Sequence, residues 1–390
     1  MDLFAKCQEP SKTQLMKSAG LYPYFHELNT QQDAVVMMEG NRKIMLGSNN
    51  YLGLTSNEEL IEAGIHALEK YGTGCGGSRI LNGTLELHTE LENELANFLH
   101  KEAAVSFSAG FQTNIGIISS LVGLHDYVIC DKENHASIYD GCRLCNGKML
   151  TYKHSDMVDL ETQLQKVPET SGCLIVTDGV FSMGGDIAKL PEICALAKKY
   201  GARVMVDDAH ALGVIGVGGR GTASHFGLEE QVDICMGTLS KSLASVGGFV
   251  AASVDVVEFI KNEARSFMFA TALPPVNTAV ALAALRHIEE HPELVQRLMD
   301  LSHYARECFR RKDIPTLKSS TPIIPILTYD TVGTLTKALK AFRAGVYVNP
   351  VLPPACAEGM GLLRASCIAT LTKPLIDEAT DILADVILDD

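Results

Sequence analysis

Two short apolar runs near the middle of the chain end abruptly in reactive side chains: RVMVDDAH over residues 203–210 and DICMGTLSK over 233–241. Runs this short, rich in Val, Ile and Met and without polar alternation, predict strands buried on both faces of a parallel sheet. Open α/β sheets bind their ligands at the carboxyl ends of such strands. The first run delivers Asp207 and His210 there, and the second delivers Thr238, Ser240 and Lys241. AAVSFS, YVICD, CLIVTD and GGFVAAS are further runs of this kind, interleaved with helical periodicity as in LPEICALAKKYG. This alternation predicts an α/β fold with a mostly parallel sheet covered by helices on both faces.

The segment NEELIEAGIHALEKYG (57–72) has apolar residues at helical spacing, an Asn start signal and a Gly stop, and LHTELENELANFLH (87–100) repeats the period. After Pro274-Pro275 the pattern changes to long helices over 276–311, short strands around PIIPILTYD and GVYVNP, and a final helix. A chain of 390 residues exceeds the usual size of a single core. The expected organisation is an N-terminal arm (1–50), a large domain (51–285) and a smaller α+β C-terminal domain (286–390).

Lys241 beside small hydroxyl residues, with an acid and a histidine on a second strand, is the set that pyridoxal phosphate chemistry needs. The amine forms a Schiff base with the cofactor aldehyde, and a carboxylate keeps the pyridine nitrogen protonated so that the ring accepts electrons. SFSAGFQTN (106–114) reads as a strand, a glycine turn and a helix, so the amides of Gly110 and Phe111 form a candidate phosphate site. Thr238 and Ser240 can add hydroxyls. His135, in ENHASIYDG (133–141), can lay its imidazole on a cofactor ring.

The formal net charge of −14 argues against a general nucleic-acid or anionic-membrane binder. Eleven cysteines without a framework suggest a reducing compartment, and the single C-x-x-C at Cys142–Cys145 lacks a second pair at zinc spacing, so no metal is expected. No secretory signal and no apolar run of spanning length is visible, which gives an expectation of a cytoplasmic location, at most peripheral at the inner membrane surface.

Six motifs in order, SNNYLGL (48–54), GTGCGGSRILNGTLELHTELE (72–92), DKENHASIYDG (131–141), DGVFSMGGD (178–186), VDDAHALGVIGVGGRG (206–221) and GTLSKSLASVGGF (237–249), resemble the α-oxoamine synthase family. The likeness runs from about residue 20 to about residue 375. It implies the aminotransferase-like fold (fold type I), pyridoxal phosphate, and a condensation of an amino acid with an acyl-CoA that releases CO2. It further implies that Lys241 is the Schiff-base lysine, Asp207 pairs with the pyridine nitrogen, His210 and Ser182 lie by the ring's phenolic oxygen, and His135 stacks on the ring. Gly110, Phe111, Thr238 and Ser240 would hold the phosphate. Arg364 in LLRASCIAT, assisted by Asn49, would bind the substrate carboxylate, and Thr271 in FATALPP would reach the phosphate of a neighbouring subunit in a homodimer.

YPYF (22–25), YKHSDM (152–157), TPIIP (321–325) and NPVLPPAC (349–356) point within the family to L-serine and a long-chain acyl-CoA as substrates. Glycine C-acetyltransferase, 8-amino-7-oxononanoate synthase and 5-aminolevulinate synthase are the alternatives. An aminotransferase of the same fold and a non-catalytic subunit are rival classes. The first is disfavoured by GTGCGGSRILNGT, the second by the joint presence of Lys241, His135 and Asp207. The chain departs from the family pattern at Ser155, where Asn is common, at Gly184-Gly185, and in VDDAH and PPAC.

Overall fold

The apolar runs form strands because nearly their whole length is withdrawn from water; Ile234–Thr238 and Gly248–Ala252 are buried at every position. The structure, a computed structural model, describes residues 2–8 and 11–388. Its largest sheet has seven strands in the order Ala103–Phe107, Gly248–Ala252, Ile234–Thr238, Arg203–Asp207, Cys173–Asp178, Tyr127–Asp131, Lys148–Tyr152. Neighbours run parallel except on either side of Gly248–Ala252, which is antiparallel to both of its partners. This is the mostly parallel α/β arrangement expected from the alternation of runs.

On one side of this sheet Val105, Phe107, Val128, Val176, Met205, Met236 and Val250 pack with Ile117, Ile118, Ile138, Val257 and Ile260 of the covering helices. The helix Glu58–Tyr71 starts where the sequence places its cap, with Asn57 accepting the amide of Glu59 at 2.9 Å, and it stops at Gly72 with φ +76°.

Strand register fixes what stands at the carboxyl edge. Asp178 and Asp207 are direct partners across their two strands, and Asp207 is paired with Met236 on the next. A run of acids and hydroxyls, Asp131, Asp178, Asp207 and Thr238, therefore ends four of the strands.

The chain divides into two compact units. The larger comprises Asn50–Ser182 and Asp186–Met299 and contains the seven-stranded sheet. The smaller comprises the described residues up to Asn49, Met183–Gly185, and those from Asp300 onward. It holds two three-stranded sheets. In one, Asn41–Met45 pairs antiparallel with Val35–Met38 and parallel with Val346–Tyr347. In the other, Gly361–Ser366 lies between Ile323–Tyr329 and Asn349–Val351, antiparallel to both. No helix among the described residues is long and apolar enough to cross a membrane.

Candidate active site

A cavity of about 180 Å³ in the larger unit is lined by Gly110, Phe111, His135, Asp207, His210, Thr238, Ser240 and Lys241, together with Asn114, Ser137, Asp178, Val180, Ala209 and Met236. Eight residues singled out from the sequence, Lys241 with its close neighbours Thr238 and Ser240 and five others 31 to 131 positions from it, are thus gathered at one place by the strand order. Ser182 and Thr271 belong to the same unit but are not among the lining residues. Thr271 is exposed, and its segment bridges to Ser78. Asn49 and Arg364 belong to the smaller unit, where they meet each other. Arg364, 4% exposed, donates from Nη2 to Asn49 Oδ1 at 3.1 Å and from Nη1 to Ser366 Oγ at 2.7 Å.

Chain entry into the helix Gly110–Leu121 has no side-chain cap: Ala109 at the cap position offers no acceptor, so the first-turn amides remain available to an anion. Gly110 is required by its surroundings. A Cβ there would stand 2.9 Å from Thr238 Oγ1, inside the space that the hydroxyls and the helix start enclose. Thr238 Oγ1 lies 2.8 Å from Ser240 Oγ and 2.9 Å from the carbonyl of Gly247, which it donates to, so the two hydroxyls are tied into one group.

Around the acids the polar contacts are dense. Asp207 Oδ1 accepts the amide of Ala209 at 2.9 Å, and Oδ2 accepts the Asn114 side-chain amide at 2.7 Å. Asp178 Oδ2 accepts the backbone amide of His135 at 3.1 Å, and its own amide donates to Asn134 Oδ1 at 2.9 Å. Its other oxygen, Oδ1, has no partner among the described residues. Burial pushes the Asp178 carboxyl well up from the usual carboxylate range, and the charge of Asp207 adds to that while Lys241 opposes it. His135 is displaced the other way: burial lowers its pKa, Asp207 partly restores it, and Lys241 lowers it further. His210 Nδ1 lies 2.7 Å from the hydroxyl of the fully buried Tyr51.

An electron-accepting cofactor with an aldehyde, a protonated ring nitrogen and a phosphate fits this donor set. It meets an amine in Lys241, a carboxylate in Asp207, and uncapped amides with two hydroxyls, in a cradle that a single added Cβ would fill. The buried Asp178 oxygen without a partner marks the pocket as built around a polar guest. A larger cavity, about 530 Å³, opens at the opposite ends of the strands, by Tyr127, Cys173, Arg203 and Ile234. Its cations are engaged, Lys101 by the carbonyls of Glu229 and Val232 and Arg203 by Asp233.

Asn114, Ser137 and Asp178 were not singled out from the sequence, although each lies inside a segment that was. Asp178 ends the apolar run CLIVTD just as Asp207 ends RVMVD, and that parallel is a signal for it. Asn114 and Ser137 carry no such signal, because their role depends on contacts between residues far apart in the chain.

The family description "Aminotransferase class I and II" matches residues 41–383. The chain is 50% identical to a serine palmitoyltransferase of Bacteroides thetaiotaomicron, over 97% of this chain and 95% of the relative. It is 42% identical to an 8-amino-7-oxononanoate synthase of Thermoanaerobacter pseudethanolicus, over 94% of this chain and 93% of the relative. A solved SPT with a PLP internal aldimine superposes with a TM-score of 0.96 at 35% identity, covering 99% of this chain and 98% of that one. With likeness of sequence and fold over almost its whole length, the chain belongs to the class I and II aminotransferase family, in the α-oxoamine synthase branch that contains the serine palmitoyltransferases.

Proposed function

We propose that this chain uses pyridoxal phosphate to condense L-serine with a long-chain acyl-CoA such as palmitoyl-CoA, giving 3-ketodihydrosphingosine, CoA and CO2. The observation that carries this reading is that Lys241 and Asp207 line one cavity together with an uncapped helix start and two hydroxyls. Greater identity to a serine palmitoyltransferase than to an 8-amino-7-oxononanoate synthase favours serine and a long acyl chain.

When bound, the cofactor supplies an aldehyde that exchanges amines and a cationic ring that accepts the electron pair left at the substrate α-carbon. Lys241 would hold it covalently, and the same amine would serve as the base for the substrate α-proton, a positioned-base effect worth about 10²–10⁴-fold. Asp207 holds the ring nitrogen in its protonated form. The first-turn amides of Gly110 and Phe111, with Thr238 and Ser240, hold the phosphate. His135 would cover one ring face, and His210, with Ser182 from outside the lining residues, would serve the phenolic oxygen. We assign the substrate carboxylate to Arg364, whose planar guanidinium grips two oxygens at once, and Asn49 orients that guanidinium. In the net reaction a bond forms between the serine α-carbon and the acyl carbonyl carbon, the C–S bond breaks, and the serine carboxylate departs as CO2. All the residues given to the cofactor, Thr271 apart, lie on one subunit; Thr271 is assigned to the partner site of a homodimer.

Incubating purified protein with L-serine, glycine and L-alanine against acyl-CoAs of graded length, and following CoA thiol release, tests the reading. Serine with palmitoyl-CoA is expected to turn over fastest; preference for acetyl-CoA with glycine, or a dicarboxylic acyl-CoA with alanine, would refute it. Borohydride reduction of the loaded protein followed by peptide mapping should tag Lys241.

A further inference from the structure

Three buried polar side chains, Asp207, Asn114 and Ser137, form a continuous chain in the wall of the cavity that ends on His135, which lines it. Asn114, on the second turn of the helix Gly110–Leu121 and 1% exposed, has its amide nitrogen 2.7 Å from Asp207 Oδ2 and 2.9 Å from Ser137 Oγ. Ser137 Oγ in turn lies 2.7 Å from His135 Nδ1.

Donor and acceptor roles along this chain are determined from one end. An ionised carboxylate only accepts, so the Asn114 group facing Asp207 must be the NH2. That NH2 has two hydrogens, and the second goes to Ser137 Oγ. The Ser137 hydroxyl has then accepted at its oxygen and has its own hydrogen to give; His135 Nδ1 is within reach. A second observation agrees. The backbone amide of Ser137 also points at His135 Nδ1, at 3.3 Å, and an N–H there needs an acceptor. The backbone contact requires Nδ1 without a hydrogen, and the hydroxyl contact is satisfied by the same state. A neutral imidazole then carries its single hydrogen on Nε2. Burial and the nearby Lys241 charge favour that neutral state, with Asp207 opposing them.

We propose that Asn114 and Ser137 are positioning residues that lock His135 as the Nε2–H tautomer, so that it offers a hydrogen-bond donor, not a base, to a carboxylate or carbonyl oxygen of the substrate. The idea deepens the functional reading above and rests on it for the identity of the acceptor. It divides labour between the two groups that could move a proton: Lys241 takes the α-proton, and His135 orients an oxygen. It also gives Asp207 a second task, since its Oδ2 terminates the chain of donors that sets the His135 tautomer. Were the Asn114 amide reversed, its oxygen would face the Asp207 carboxylate with no hydrogen between them, Ser137 would have to donate to it and accept from Nδ1, and His135 would present a bare Nε2.

The test is nitrogen NMR on protein labelled with ¹⁵N-histidine, recorded with and without pyridoxal phosphate and with His135 identified by its loss in His135→Gln. At neutral pH Nδ1 of His135 should resonate as an unprotonated nitrogen and Nε2 as a protonated one. Ser137→Ala should produce a mixture of tautomers and lower kcat about tenfold while the KM for the amino acid changes by less than about twofold, the scale set by one lost buried hydrogen bond. Ser137→Thr should restore both. Asn114→Leu, with the same branching of four side-chain heavy atoms, should disturb the tautomer in the same direction. A hydrogen on Nδ1 in the unmodified protein, or a Ser137→Ala protein with an unchanged tautomer and kcat, would overturn the proposal. Because the tautomer is also read without cofactor, a failure here is distinct from a failure of the functional reading, in which borohydride would tag a lysine other than Lys241.

Discussion

The hydroxyl of Tyr51 lies 2.7 Å from Nδ1 of His210, joining the first motif of the larger unit to the loop that follows Asp207. Tyr51 is fully buried, so the pair is shielded from competing water. Tyr51→Phe keeps the ring and removes only the oxygen. It should cost about 1–2 kcal/mol in urea unfolding, the scale for losing one partner of a buried hydrogen bond. Because His210 lines the cavity, the pH at which the visible absorbance of the loaded protein changes should move as well. A variant with unchanged stability and an unchanged spectral titration would mean that the contact does nothing for His210.

His154 stands between two carboxylates, with Nδ1 3.0 Å from Asp131 Oδ1 and Nε2 3.0 Å from Asp186 Oδ2. Both ring nitrogens face acceptors, so the geometry calls for the imidazolium. Burial alone would lower its pKa, but the bonds and charges of Asp131 and Asp186 outweigh that and push it up to about 10. A folded-state value raised above the unfolded one contributes stability that is complete below the unfolded pKa of about 6.5 and is lost as pH rises through about 10. His154→Gln should therefore be less stable than the parent by about 1.5–3 kcal/mol near pH 6, with the gap closing toward pH 10. A gap that stayed constant over this range in thermal melts would show that the ring is neutral.

Much of this architecture is legible in the sequence because strands buried on both faces leave unbroken apolar runs, and five of the six such runs end in the groups that line or adjoin the sheet's carboxyl edge. Lys148–Tyr152 left no such trace. It is an edge strand, exposed over most of its length, and reads KMLTY. Val35–Met38 and Asn41–Met45 are equally silent, being short and joined by a tight Glu39-Gly40 turn, with both residues at positive φ. Site residues on strand ends and glycine turns, Lys241, Asp207 and Gly110, could be named in advance because local chain geometry dictates their positions. Asn114 and Ser137 could not, because the contact of Asn114 with Asp207 spans 93 residues and depends on how two strands and a helix pack.

Ser155 has φ +53°, the left-handed region where Asn is much better tolerated than Ser. This gives a physical reason for the Asn common at this place in the family, and it makes the departure local. The backbone amide of Ser155 donates to Asp131 Oδ2 at 2.9 Å, so the conformation is held by the same acid that binds His154. Ser155→Asn should raise stability by about 0.5 kcal/mol, and Ser155→Val should lower it by about 1–2 kcal/mol. The ordering Asn above Ser above Val in urea midpoints checks this; Val equal to Ser would contradict it.

Arg364 is buried against Ser366 and Asn49, so its guanidinium is fixed in direction before any substrate arrives. Arg364→Ala should weaken serine binding by one to two decades, equivalent to about 1.5–3 kcal/mol for a charged hydrogen-bonded pair, and leave cofactor retention unchanged. Arg364→Lys should recover only part of the loss, since an ammonium cannot make two parallel bonds to a carboxylate. Spectral titration of the loaded protein with serine measures both, and an unaltered dissociation constant in Arg364→Ala would remove the residue from substrate binding.

In the larger unit, Ile80 and Leu81 are 54% and 78% exposed and Phe269 is 76% exposed, while the chain around them is tied together by the Ser78–Thr271 bridge and by the Ala272 amide donating to the Gly77 carbonyl at 3.0 Å. Large apolar side chains presented by two adjoining segments mark a contact surface rather than a water-facing one. A two-fold dimer through this patch would put Thr271 of one subunit at the neighbour's site and create two equivalent shared sites. Phe269→Asp combined with Leu81→Asp should shift the protein to monomers in sedimentation velocity and abolish activity. Mixing two inactive proteins, Lys241→Ala and Thr271→Tyr, supplies the sharper test. If the sites are shared, each hybrid dimer contains one site with both residues intact, and about half of the parental activity per hybrid should return. Activity undiminished in a monomeric species, or no recovery from hybrids whose formation is demonstrated, would reject shared sites.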